Sequence, residues 1–244
     1  EMENMIFLSL TNKIINDQNN IISAGINSIS QFNTLSKFQK INKLQNTIIL
    51  IPKENYKEEI EKGIKHSKIN NKRVYYYDSE PTILTKQIEK ITKYKIRKRK
   101  LEDEVKRIEE SNNPNKEREL ENLNKKDTLG NLNFDSIIIS DFNESLKSIV
   151  TSLLYTDVSP ENVYFLTLNQ WFDQSLLKEK NFQPIYFPSI NKKNYDDFVK
   201  NYYKKFDEYP NQLSFLSYDL VGLVYYLIIQ NNFVVDKKMF LKKN

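Results

Sequence analysis

The chain has 244 residues, 39% hydrophobic and 28% charged, which is enough apolar material for a core under a very polar surface and excludes a wholly disordered chain. Its net charge is +5, but 32 of the 37 basic residues are Lys, and 30 Asn and 27 Ile stand against a single Ala, the usage an AT-rich coding sequence writes. A nucleic-acid footprint would favour Arg on one face, so no nucleic-acid partner is expected. The absence of Cys excludes a disulfide framework, a thiolate zinc site and a thiol nucleophile, and no run of 18 uncharged apolar residues occurs, so no membrane-spanning segment is expected.

The N-terminus has no charged start followed by an apolar stretch, so no signal peptide is read there. The segment "MIFLSLTN" (Met5 to Asn12) reads as a strand over Ile6 to Leu10 that arrives without a preceding partner, the mark of a piece of a longer fold. A short apolar run, Ile21 to Ile26, follows. Ile29, Phe32, Leu35, Phe38 and Ile41 at spacing three predict a helix from Ser28 to Leu44. The β-branched run "TIILIP" (Thr47 to Pro52) is of the kind that fills a parallel sheet. A helix over Glu54 to Ser67 and a strand "RVYYY" (Arg73 to Tyr77) complete a βαβ unit.

From Lys95 to Lys126 the composition changes, with 11 basic and 8 acidic residues netting +3. Leu101, Val105 and Ile108 form a thin stripe at helical spacing, and "SNNPN" (Ser111 to Asn115) breaks it before Glu117 to Leu123 resumes. The segment reads as a protruding helical hairpin or a mobile solvated insertion. A second unit follows: a strand in "FDSIIISDF" (Phe134 to Phe142), a helix over Glu144 to Tyr155 and a strand in "ENVYFLTLNQW" (Glu161 to Trp171). Alternating strands and helices predict an α/β fold with doubly wound parallel sheets. Tyr195 to Phe206 reads as an amphipathic helix. Gln212 to Gln230 is apolar almost all round, which predicts a buried helix.

Catalytic constellations are not found. The one histidine, His66, sits at a Lys-rich helix end, the four glycines lie too far apart for a phosphate loop, and Asp196 and Asp197 point in different directions on a helix. An enzyme is therefore not expected, and neither a metal nor a cofactor is implied. Binding is the better prospect, because open α/β sheets present loops at the carboxyl ends of their strands. Those loops supply Ser9, Thr11 and Asn12, then Tyr56, Asp141, Asn169 and Trp171, a set suited to a small polar ligand or a peptide, or to loop capping alone.

The opening "MIFLSLTN" with "AGINSISQFNTLSKFQKINKLQNTIILIPKENY" resembles the type 1 periplasmic binding protein superfamily. "FDSIIISDFNESLKSIVTSLLYTDVSPENVYFLTLNQWFD" followed by "FVKNYYKKFDEYPNQLSFLSYDLVGLVYYLI" looks like its branch of penicillin-binding protein activators, the LpoA/LppC-type lipoproteins of alphaproteobacteria. In that branch a charged helical excursion precedes the "FD" strand and a Trp-Asp pair follows the next one, as Trp171 and Asp173 do loosely here. The closing pattern is matched by Pro210, Leu213, Ser217, Tyr218 and Asp219. The chain departs in having Lys57 where the Tyr loop commonly carries Gly, and in lacking the family's lipidated Cys, so any lipid anchor would lie outside it.

The resemblance implies two lobes, a partial first one from residues 1–43 and 185–244 and a second from 44–184 with the charged insertion 95–129. It also implies a cleft bearing the seven strand-end residues, and a non-catalytic periplasmic protein that binds and stimulates a peptidoglycan synthase. The alternative is a receptor of an ABC-type uptake system for an amino acid or similar small polar ligand. A weaker third reading is an enzyme of unrecognised type.

Overall fold

The computed structural model describes residues 5–13, 21–69, 72–234, 236 and 238–241. The chain divides into two compact units, one of residues 1–34, 58–68 and 188–244, the other of 35–57 and 69–187.

The larger unit is built on a five-stranded, all-parallel sheet in the order β4-β3-β5-β6-β7, where β3 is Thr47–Pro52, β4 Lys72–Tyr77, β5 Ser136–Ile139, β6 Tyr164–Thr167 and β7 Ile185–Tyr186. The two central strands, β3 and β5, are buried along their whole length, and runs of Ile and Leu with no alternation are what burial on both faces requires. Ile48 lies beside Ile137 and Leu50 beside Ile139, while Ile137 faces Phe165 and Phe165 faces Ile185. On that face α3 (Pro81–Ile91) and α6 (Asn143–Tyr155) supply Leu84, Ile88, Leu146, Ile149, Val150 and Leu153 to one core, which Leu176 of a short α7 (Gln174–Leu177) joins. The opposite face receives the second half of α1 (Ser28–Ile41): Phe38 packs its ring 4.8 Å from Tyr186 and 6.0 Å from Tyr164, and Gln39 Nε2 donates to Thr47 Oγ1 at 2.5 Å.

The expected elements are present: β3 stands as read, β4 begins one residue earlier, at Lys72, β1 (Phe7–Ser9) and β6 are shorter, and α3 is a helix that the sequence reading does not include. The expected strand over Glu161 to Trp171 is confined to Tyr164–Thr167, because Asn169 and Gln170 turn the chain out of the sheet with their own side-chain hydrogen bonds. The charged excursion is helical: α4 (Tyr94–Glu109) and α5 (Lys116–Asn124) pack on each other, with Ile108 of the thin stripe buried. Its base is pinned by Arg97, 5% exposed. That guanidinium donates to Thr128 Oγ1 at 2.5 Å, to the carbonyls of Thr92, Thr156 and Asp157, and to Asp157 Oδ2 at 3.2 Å.

The smaller unit holds a two-stranded parallel sheet of β1 (Phe7–Ser9) and β2 (Ile21–Ser23), the first half of α1, α2 (Lys57–His66), α8 (Lys192–Phe206), α9 (Gln212–Gln230) and a short α10 (Lys238–Leu241). Helices α1 and α2 meet at Gly63. A Cβ there would fall 2.5 Å from Ser28 Oγ and 2.6 Å from its Cβ, so only glycine allows the approach. Phe198 of α8 stacks against Phe215 and Tyr218 of α9 at 5.3 and 5.2 Å.

Helix α9 departs from its expected burial. It is not buried: Phe215 and Leu227 are, but Tyr218, Val221 and Tyr225 are about two-thirds exposed, because α8 covers only one stripe of a helix that is apolar all round. By length and composition it is also long and apolar enough to cross a membrane, with a mean hydropathy of 1.5. Asp219 interrupts the uncharged run on which the opposite expectation rested.

Candidate functional site

In the larger unit the sheet order sets the site. The connections from β3 and β5 leave toward opposite sides, so their carboxyl ends flank a topological switch point, the place where open α/β sheets form a crevice. The loop after β3 carries Lys53 to Tyr56 and the loop after β5 carries Ser140 to Phe142; the Tyr56 and Phe142 rings meet edge to face at 6.0 Å. Tyr56 is 63% exposed.

The same strand ends carry a set of hydrogen-bonded polar groups. Tyr77, 1% exposed at the end of β4, donates its hydroxyl to Asp141 Oδ2, spanning the end of β3. The other carboxylate oxygen of Asp141 accepts from the Phe142 N–H at 2.8 Å. Burial, and then the Asp141 carboxylate, push the Tyr77 phenol far above its ordinary pKa, so it stays a hydrogen-bond donor. Gln170 donates to the carbonyls of Asp141 (3.3 Å) and Leu168 (3.0 Å), and Asn169 Oδ1 accepts from the Trp171 N–H at 2.8 Å. Asp141, Asn169 and Gln170 are all buried. The hydroxyl of Ser140, at the end of β5, is buried with no hydrogen-bond partner.

Backbone strain collects in the same loops. Of eleven non-glycine residues with positive φ among the described residues, Asn55, Tyr56, Asn143, Trp171 and Phe172 follow β3, β5 and β6. Tyr, Trp and Phe enter the left-handed region only at a cost, and such residues gather where a loop's shape serves binding.

Of the residues expected to form the site, Tyr56, Asp141, Asn169 and Trp171 thus stand at the strand ends of the larger unit. Trp171 lies in a turn, half-buried, with φ 47. Asp141 does not cap α6: the N-cap position is Phe142, and it makes no side-chain cap. Ser9 ends β1 and Thr11 and Asn12 follow it in the smaller unit, where they brace loops. Asn12 Oδ1 accepts from Ile26 N–H at 3.1 Å, Thr11 Oγ1 from Lys13 N–H at 3.2 Å and Ser9 Oγ from Thr11 N–H at 3.4 Å. Gly25 lets these loops touch, since a Cβ there would sit 2.1 Å from the Thr11 carbonyl oxygen. Tyr77 is the member that sequence reasoning misses. No local signal marks it: Tyr77 ends β4, one strand away from the switch point, and its tie to Asp141 depends on the strand order.

No protein-family model and no curated protein matches the chain. Solved structures similar to it include a branched-chain amino acid ABC transporter periplasmic ligand-binding protein from Burkholderia xenovorans (10% identity, TM-score 0.46, 76% of this chain and 42% of that one). A solute-binding protein of an ABC transporter from Rhodopseudomonas palustris, in complex with 3,4-dihydroxybenzoic acid, is 9% identical with a TM-score of 0.44, over 90% of this chain and 53% of that one. The LpoA (YraM) C-domain from Haemophilus influenzae, a regulator of PBP1A, is 10% identical with a TM-score of 0.40, over 80% and 52%. The chain spans about half the length of the solved structures it resembles.

Proposed function

We propose that the chain is a non-catalytic binding module of the cell envelope whose partner is a protein, a peptidoglycan synthase that it binds and stimulates in the periplasm. One observation carries this reading: Tyr77, Asp141, Asn169 and Gln170 at the strand ends of the larger unit make hydrogen bonds to one another or to their own loops, and of the buried polar side chains described there only the Ser140 hydroxyl stands without a partner. Asp141 has both oxygens engaged, and Asn169 and Gln170 hold backbone groups. A receptor for a small polar solute needs such groups turned outward to replace the solute's water. The sequence resemblance points the same way, and in this reading residues 1–43 with 185–244 and residues 44–184 are the two lobes.

The test is titration of the full chain against the cognate bifunctional synthase, read as binding and as polymerisation rate. Saturable binding with a higher rate is expected; neither binding nor a rate change overturns the reading.

The second reading, a receptor for an amino acid or a similar compound, is favoured by the strained aromatic loops at the switch point. A ligand at 100-fold its dissociation constant adds about 2.7 kcal/mol of stability. That amounts to a rise of roughly 5–10 °C in Tm for a protein of this size. A flat response across amino acids, amides and short peptides overturns the receptor.

A further inference from the structure

The corner between α3 and α4 carries charge that neither the core nor the strand ends use. Residues 86–100 hold eight basic side chains and one acidic, a net +7 that exceeds the +5 of the whole chain. Seven of the eight are exposed, and only Arg97 turns inward. Beyond residue 100 the sign reverses, with six basic and eight acidic residues over 101–126. The arm is therefore basic at its root and acidic toward its tip.

The root is also concave. Lys86 and Lys90 lie one turn apart on α3, on one face. Lys93, with φ 54, turns the chain so that Lys95 and Ile96 of α4 come alongside them. Together with Glu89 these residues line a groove of about 610 Å³. Glu89, 17% exposed, meets Lys95 at 3.6 Å and is the one carboxylate in the wall. Ile96 stands 58% exposed among the lysines. Four cations against one anion in a concave wall leave a positive potential that focuses on whatever enters.

We propose that this groove docks an acidic segment of the protein partner, its carboxylates meeting Lys86, Lys90, Lys93 and Lys95 and one aliphatic side chain seated on Ile96. The inference rests on the reading of the chain as a protein-binding module. Nucleic acid fits less well. The groove has no aromatic side chain to stack a base, its cations are lysines without the guanidinium fork, and Glu89 would repel a continuous phosphate track. A lipid surface would need a broad apolar face beside the lysines, where this groove offers one isoleucine.

The experiment uses the full chain and a fluorescein-labelled glutamate–leucine peptide. A glutamate–serine peptide of equal charge, oligo(dT) and phosphatidylglycerol vesicles are the other arms. The leucine peptide is expected to bind tightest and to weaken as salt shortens the Debye length to about 8 Å at physiological strength. Ile96→Ser should lower its affinity by about tenfold, the worth of one buried aliphatic contact, and leave the serine peptide unchanged. The pair Lys90→Glu and Lys93→Glu, both exposed and checked for unchanged circular dichroism, should abolish binding of both peptides. Equal affinity for the two peptides, no effect of Ile96→Ser, or tighter binding of oligo(dT) or vesicles overturns the proposal. A synthase that binds wild type and the double variant equally overturns the groove alone. A synthase that binds neither overturns the parent reading and leaves the peptide arms to decide the groove.

Discussion

Replacing Arg97 by Met tests what holds the charged arm to the sheet. The substitution keeps most of the side-chain volume and removes every donor. It strips hydrogen bonds from the Thr92, Thr156 and Asp157 carbonyls, from Thr128 Oγ1 and from Asp157 Oδ2. Breaking a buried ion pair costs about 3–5 kcal/mol, because the remaining partner is left uncompensated. Here the discount is specific. The Asp157 side chain is 37% exposed and also accepts from the Thr128 hydroxyl, so the expected loss is about 2–4 kcal/mol. Urea denaturation followed by circular dichroism measures it, and hydrogen exchange localises it: protection should fall in 94–124 before it falls in β3 and β5. Lys at the same position restores the charge without the planar fork and should recover only part. An Arg97→Met variant within about 0.5 kcal/mol of wild type, or one whose exchange rises uniformly, would show that Arg97 does not hold the arm to the sheet.

Three other substitutions probe the packing and the strand ends. Gly63→Ala forces a Cβ onto Ser28 and should destabilise by about 1–2 kcal/mol, the overpacking cost less the helix propensity gained; in a Ser28→Gly background the same change should cost less, with only the 3.1 Å contact to Phe32 left to relieve. Ser140→Ala removes a buried hydroxyl with no partner and should stabilise by about 0.5–1 kcal/mol in urea melts, whereas a loss of stability would show that the hydroxyl is satisfied. Tyr77→Phe should cost about 1–3 kcal/mol at pH 7. The folded pKa of Tyr77 lies above the unfolded 10.0, so its contribution is complete below pH 10 and is lost as pH rises past it. Wild type should therefore lose stability more steeply than Tyr77→Phe above pH 10.

The elements with strong local signals were legible in the sequence. β3 occupies Thr47–Pro52 as read, because a run of β-branched residues between polar ends has few other uses, and the spacing-three pattern from Ile29 to Ile41 fixed α1 to within a turn at its end. What escaped depended on partners remote in sequence. Tyr77 and Asp141 lie 64 positions apart and meet only once the strand order is known. Arg97 sits in a charged run that reads as solvated, and most of its partners are backbone carbonyls, which leave no trace in composition. The pattern of α9 states that its side chains are apolar, but whether another element covers them is set by the rest of the unit.

Recognition of a protein and recognition of a small solute are separated by one binding measurement. Biolayer interferometry of the full chain against immobilised synthase, with and without saturating amino acids, is its most direct form. Saturable binding that amino acids leave unchanged and that Lys90→Glu with Lys93→Glu weakens is expected. Absent binding to the synthase, together with a rise in Tm on adding an amino acid, would contradict recognition of a protein.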